Sequence, residues 1–277
     1  MKRKSNRKRG AGRIITPVVL VICCIGFVIS AWKFFSILRA DRQAESVYSE
    51  LRIVAQEQTV KKISAESAPV VEMQEKAEEN ITAESRSFSV DITGLKNQYP
   101  ELAAWLRAEG TGIDYPVMHA KDNDFYLSHL YDGTYNYNGS IFVDYRNTGV
   151  LTDGNTVIYG HNINNGGMFN PLNEYKSQEF YDTHPAMTIC TTDGDYRIEL
   201  ICGTVEDGNY EFVQFNFDDF DAMNDYVNRF KARSTFESGI QLQPGDRLVS
   251  LCTCTTYSGL NARYMLVGRV SGTPDQN

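Results

Sequence analysis

Residues 247–270 read RLVSLCTCTTYSGLNARYMLVGRV. Two apolar runs, Arg247–Cys254 and Arg263–Val270, flank a polar stretch that contains Gly259. Runs of this length and composition, separated by turn-forming residues, read as two strands joined by a loop. Working outward, runs of the same kind recur: IDYPVM (113–118), GSIFVDY (139–145), NTVIYGH (155–161), AMTIC (186–190) and YRIELICGTV (196–205). Turn signals such as Asp193-Gly194 and Gly245-Asp246 punctuate them. Many short strands at this spacing predict a mainly β domain, a sandwich or a small barrel. One clear helix interrupts the series: in DDFDAMNDYVNRFKARS (218–234), Phe220, Met223, Val227 and Phe230 mark one apolar face, with Asp218 or Asp219 as N-cap. The tract Leu95–Leu106 (LKNQYPELAAWL) reads as a short amphipathic helix interrupted by Pro100.

The N-terminal part has a different character. Ile14–Trp32 is an uncharged run of 19 residues. As a helix it reaches ~28 Å, close to the ~30 Å hydrocarbon core of a bilayer. Beyond Lys33 the apolar residues Phe34, Phe35, Ile37 and Leu38 extend it. The run is long for a cleaved signal peptide and no small-x-small site follows it, so it reads as an uncleaved signal anchor over 14–38. Seven of the chain's 27 basic residues lie within residues 1–13, which hold no acid. Basic flanks stay cytoplasmic, which predicts the N-terminus inside and residues 40–277 outside a plasma membrane. The rest of the chain then carries 20 basic against 35 acidic residues, a poor surface for nucleic acid. Residues 39–60 read as helical, with Val47, Leu51 and Val54 on one face. Residues 61–88 read as a polar, Glu-rich stalk. The expected organisation is a basic segment (1–13), an anchor (14–38), a helical and polar stalk (39–86) and an outer domain (87–277).

Six cysteines and four histidines carry the possible chemistry. Cys23 and Cys24 sit in the anchor as small apolar residues. If Asp193-Gly194 forms a two-residue hairpin, Cys190 faces Arg197 and not Cys202, so both read as buried thiols. Cys252 and Cys254 end the strand RLVSLCTC. Cys-x-Cys without a second ligand pair does not make a metal site, and i, i+2 spacing in a strand does not suit a disulfide. A buried pair or an exposed nucleophile remains. Arg263 follows at the start of the next strand, where it would donate hydrogen bonds and stabilise charge. His161 ends the strand run of YGHNINNGGMF, at the edge of an Asn/Gly-rich loop. His184 reads as structural, and His119 and His129 as exposed.

At these residues the chain resembles a class B sortase. Ser250-Leu251-Cys252-Thr253-Cys254 with Arg263 after it is similar to the family's cysteine strand, and Tyr159-Gly160-His161 to its histidine segment. Further similar tracts are Ile113–Val117, Asp122-Asn123 with Tyr126-Leu127, and Gly139–Asn147. The resemblance covers residues 88–272. It implies a closed eight-stranded β-barrel with peripheral helices, one of them between the sixth and seventh strands. It also implies a cysteine transpeptidase at a Gram-positive cell surface, with no cofactor. Such an enzyme cuts the C-terminal sorting signal of a surface protein after threonine and forms a thioacyl-enzyme. It then passes the acyl group to an amine of a peptidoglycan precursor or another protein. By motif match Cys254 would be the nucleophile, His161 the proton donor and acceptor, and Arg263 the oxyanion partner. Asn123, Leu127 and Tyr159 would line the substrate groove. Two positions depart from the family: Cys252 stands where serine is common, and Thr255 where an acid is frequent. Two other readings stay open, an anchored cysteine hydrolase and a sortase-like binding domain with inert thiols.

Overall fold

The computed structural model describes residues 12–66, 88–163, 165–255 and 261–271. The basic segment up to residue 11, most of the expected polar stalk and the loop at 256–260 lie outside the described residues. The chain divides into two compact units, Met1–Glu45 and Ser46–Asn277. The first holds the start of helix α1 (Gly12–Glu66). Its stretch from Val19 to Ile37 exposes large apolar side chains, Phe27 and Trp32 among them. It is long and apolar enough to cross a membrane, with a mean hydropathy of 2.1.

The second unit begins at Ser46. Here the buried stripe of α1 is Tyr48, Leu51 and Ala55, whereas Val54 is exposed and Val47 only half-buried. Leu51 is common to the expected and the observed face, and the rest of the stripe is supplied by tyrosine and alanine instead of valine. Tyr48 stacks edge-on to Tyr115 at 5.2 Å, and its hydroxyl donates to Gly139 O at 3.0 Å. Burial pushes that hydroxyl's pKa well above its ordinary value.

After α2 (Ile92–Gln98), capped by Asp91, come β1 (Leu102–Ala108), β2 (Ile113–Met118), β3 (Ile141–Val143) and β4 (Asn155–Tyr159). Helix α3 (Gln178–Thr183), β5 (Ala186–Thr191), β6 (Gly194–Asp207), α4 (Phe220–Lys231), β7 (Arg247–Cys254) and β8 (Ala262–Val270) follow. The strands close into a barrel in the order β1-β2-β3-β4-β7-β8-β6-β5. The pairs β2–β3 and β4–β7 are parallel. This is the eight-stranded barrel that the resemblance implies.

The eighth strand is β1, where the sequence suggested a helix. Helix formers fill Leu102–Ala108, but the segment is paired with β2 on one side and β5 on the other. Trp105 is buried there and donates from its indole to Asp114 Oδ1 at 2.7 Å. Tertiary pairing overrides a weak local preference. The β5–β6 hairpin also differs from expectation. Thr191 pairs with Gly194, so Cys190 faces Asp195 instead of Arg197. Cys190 and Cys202 are buried free thiols, and burial pushes Cys202 up to about 12. Helix α4 lies between the sixth and seventh strands. Its N-cap Asp219 accepts from Ala222 N at 2.8 Å. Its Met223, Tyr226, Val227 and Phe230 pack on Cys202, Leu248, Met265 and Val267.

Candidate active site

Strand β7 is buried from Leu248 to Thr253 and emerges at Cys254. In the antiparallel register Cys254 faces Arg263, and Cys252 faces Met265. On the other side β4 runs parallel, with Tyr159 beside Cys252. Two residues further on, past the end of β4, His161 comes level with Cys254. Two bonds hold this junction: Gly160 N donates to Cys252 O at 3.2 Å, and Thr253 Oγ1 donates to Gly160 O at 2.8 Å. A side chain at Gly160 has no room, since its Cβ would lie 2.7 Å from the Phe169 ring. Phe169 N in turn donates to His161 O at 2.9 Å. Side chains two apart on a strand share a face, so Cys254 and Arg263 stand at the rim above the buried Cys252 and Met265, with Tyr159 beside Cys252 and His161 just past the end of β4.

The two thiols of β7 differ in environment. Cys252 is buried and its pKa is pushed up to about 12 by desolvation, against the lowering effect of Arg263. Cys254 is exposed. The His161 Nε2 lies 2.7 Å from Leu127 O. A carbonyl only accepts, so Nε2 carries the hydrogen and Nδ1 of the neutral ring is the nitrogen left for proton transfer. Thr255 N donates to Ala262 O at 3.1 Å, which commits the amide that follows Cys254. Arg263 Nη1 donates to Asn261 Oδ1 at 2.7 Å. Its guanidinium passes over Gly208, where a Cβ would lie 3.3 Å from Arg263 Cζ and 2.8 Å from Asn261 O. Lys176 Nζ, 2.9 Å from Asn173 Oδ1, also bonds Thr255 Oγ1, so the residue after the cysteine is tied to the turn at Asn170–Lys176.

Below the rim lies an open hollow of about 410 Å³, lined by Arg146, Tyr159, Cys252, Arg263 and the 208–213 segment after β6. Its wall is built on a fully buried carboxylate. Asp144 accepts from Arg146 Nε at 3.0 Å and Nη2 at 2.8 Å, and from the Tyr159 hydroxyl at 3.0 Å. Burial raises the Asp144 pKa, but the bonds to Arg146 and Tyr159 outweigh it and hold the carboxyl below the usual range. Arg146 Nη1 reaches on to Glu211, which ties the barrel wall to the 208–213 segment.

Residues 106–271, more than half of the chain, match the Sortase domain family. The chain belongs to the sortase family. Its members are cysteine transpeptidases, and the resemblance is to the class B branch. The chain is 29% identical to Sortase B of Listeria monocytogenes over 256 residues, 92% of this chain and 94% of that one. A crystal structure of Clostridium perfringens sortase B is 32% identical, with a TM-score of 0.60 over 64% of this chain and 98% of that one. A Staphylococcus aureus sortase B–substrate complex shares the fold, with a TM-score of 0.67 at 22% identity, over 83% and 97% of the two chains.

In this sortase the three motif residues Cys254, His161 and Arg263 stand on adjacent strand ends. The three residues expected to line a groove separate. Tyr159 lines the hollow. Leu127 is exposed and meets His161 through its carbonyl. Asn123 accepts from Tyr145 N at 2.9 Å and is a loop staple in this geometry. Two histidines differ from expectation: His129 is half-buried and stacked on Phe125 at 4.1 Å, and His119 is half-buried, with its pKa lowered by desolvation. His184 is structural, since its backbone carbonyl accepts from the Tyr175 hydroxyl at 3.0 Å and its ring stacks on Phe180. The sequence reading missed Asp144, Arg146 and Glu211. The only signal was a charged Asp-x-Arg after a short apolar strand, inside a tract already singled out.

Proposed function

We propose that this sortase cleaves a C-terminal sorting signal after a threonine and joins the new acyl end to an amine. The observation that carries the reading is the rim itself: an exposed cysteine, with an arginine across the strand pair and a histidine level with it. The Cys254 thiolate attacks the threonine carbonyl, and the oxygen takes up negative charge. The amide after the nucleophile, a common donor in acyl transfer, is bonded to Ala262 O, so Arg263 supplies the stabilising donor. His161, protonated on both nitrogens, gives its Nδ1 proton to the leaving amine, the C–N bond breaks, and a thioester remains on Cys254. The incoming amine loses its proton to Nδ1 and attacks the thioester. The amide forms and the thiolate leaves. The buried Cys252 takes no part in this scheme, because its thiolate is disfavoured. Tyr159 and Leu127 contact the substrate strand on either side of the histidine, and Asn123 supports the loop beside it.

The apolar part of α1 supports an anchor in the plasma membrane, with residues 1–13 in the cytoplasm and the barrel outside. Surface proteins that carry sorting signals are then the acyl donors. A peptidoglycan precursor or a protein amine is the acceptor. The test uses the full chain in detergent micelles, with a panel of threonine-containing sorting peptides and a short oligoglycine amine. Mass spectrometry should show a peptide–glycine adduct that requires Cys254. Free acid alone, whatever the amine concentration, would identify a hydrolase and overturn the reading.

A further inference from the structure

The row that holds Cys254 and Arg263 continues one strand further. Arg263 on β8 pairs with Cys254 on β7 and, on its other side, with Glu206 on β6. Residues directly opposite in antiparallel strands share a face, with Cβ atoms ~4.5–5.5 Å apart. The arginine therefore stands between a thiol and a carboxylate. Glu206 is 9% exposed. It nevertheless leaves Arg263 alone, because other groups hold it. It accepts from Thr204 Oγ1 at 2.9 Å and pairs with Arg233 Nη2 at 3.0 Å. Arg233 lies in the turn just after α4 and is itself largely exposed. Arg263 meanwhile reaches past Glu206 along the β6 edge, across Gly208, and donates to Asn261 Oδ1.

We propose that Arg233 is a positioning residue for acyl transfer, holding the Glu206 carboxylate away from Arg263 so that its guanidinium stays available at Cys254. This rests on the role given to Arg263 above. A buried carboxylate that loses its partner is costly, and a cation within reach is drawn to it. Arg263 is that cation, one strand over and in register. Its planar fork suits a carboxylate as well as it suits an oxyanion. Paired with Glu206, it would not be free to turn to the reacting carbonyl, and its charge would be neutralised beside the thiol. Arg229 lines the same shallow hollow as Glu206 and Arg233, over the rings of Tyr226 and Phe230 at 5.4 and 5.8 Å. It is the one other arginine lining that hollow that could take over.

The experiment compares Arg233→Gln and Arg229→Gln/Arg233→Gln with the wild-type full chain in micelles. It reads kcat/KM for peptide–amine ligation, the rate of Cys254 alkylation by iodoacetamide at pH 7, and the melting temperature. At least one of the two variants should lose about tenfold in kcat/KM, less than the roughly hundredfold or more that follows removal of an oxyanion donor, and should alkylate more slowly. Adding Glu206→Gln to that variant should restore both rates, and Arg233→Lys should keep them. In an Arg263→Ala background, Arg233→Gln should have no further effect. A purely structural ion pair would lower the melting temperature while leaving the folded protein's rates unchanged, and that result overturns the proposal. So does a loss that Glu206→Gln fails to rescue. A wild-type chain that forms no amine adduct refutes the functional reading instead, and the alkylation rates still decide the exchange between Arg233 and Arg263.

Discussion

The two ends of β7 are held very differently. Near its start, Leu248 N donates to Gly154 O at 2.9 Å and Ser250 Oγ donates to Asn155 Oδ1 at 3.0 Å. Asn155 is itself held through Gln214 O at 2.8 Å, and Asn147 bridges Asp153 and Asn155 O, both at 2.8 Å. At its far end the strand emerges into solvent with Cys254. The stitched end sets the register, and the open end uses it. Because side chains alternate along a strand, a slip of one residue would turn Cys254 to the opposite face and bring Thr253 to the rim. The reactivity proposed for one end therefore depends on polar bonding at the other.

The largest effect should come from the open end. Cys254→Ala should abolish thioester and adduct in intact-mass analysis, and Cys252→Ser should keep clear activity. The reverse pattern would make the buried thiol the nucleophile and dissolve the contrast. In the wall of the hollow, Arg146→Ala leaves the buried Asp144 without its cation, held only by the Tyr159 hydroxyl and a backbone amide, and should cost about 3 kcal/mol in urea unfolding of the chain. The folded pKa of Asp144 is lowered, so its contribution is complete above the unfolded value of about 3.9 and is lost as pH falls through the lower folded value. Arg146→Ala should therefore also flatten the acid limb of stability against pH, and an unchanged limb would remove Asp144 from the account. Arg263→Lys keeps the charge but replaces a fork with a point. It should lower kcat/KM by about 100-fold with stability unchanged. Ser250→Ala leaves Asn155 Oδ1 without its donor and should cost about 1–2 kcal/mol of stability while sparing the ligation rate. The smallest effect should be that of Glu211→Gln. It loosens an exposed tie to the 208–213 segment, worth about 0–1 kcal/mol, and should raise KM a few-fold without changing kcat.

The strands of the open end were the most legible part of the sequence, since Arg247–Cys254 and Arg263–Val270 are apolar runs bounded by turn residues. Helix α4 was legible through the spacing of its apolar face. Strand β1 was not, because alanine and leucine favour a helix locally and only its two neighbours make it a strand. His161, Cys254 and Arg263 were candidates by type and place at strand ends, and the motif resemblance chose among the candidates. Their supports could not. Glu206 finds Arg233 across 27 residues and Arg146 finds Glu211 across 65. A solvated charge and a paired one look alike in sequence until the chain closes.

The parallel pairing of β4 with β7 also governs when chemistry can begin. Gly160 and Thr253, the bonded pair beside the histidine and the cysteine, are separated by 93 residues of chain. Arg263 arrives later still, on the closing strand. Contacts this far apart form slowly, because loop-closure entropy opposes them until the intervening strands are in place. A nascent chain that has made α1 through β6 has its histidine and no thiol beside it. The proposed reactive centre is therefore complete only once the barrel has shut.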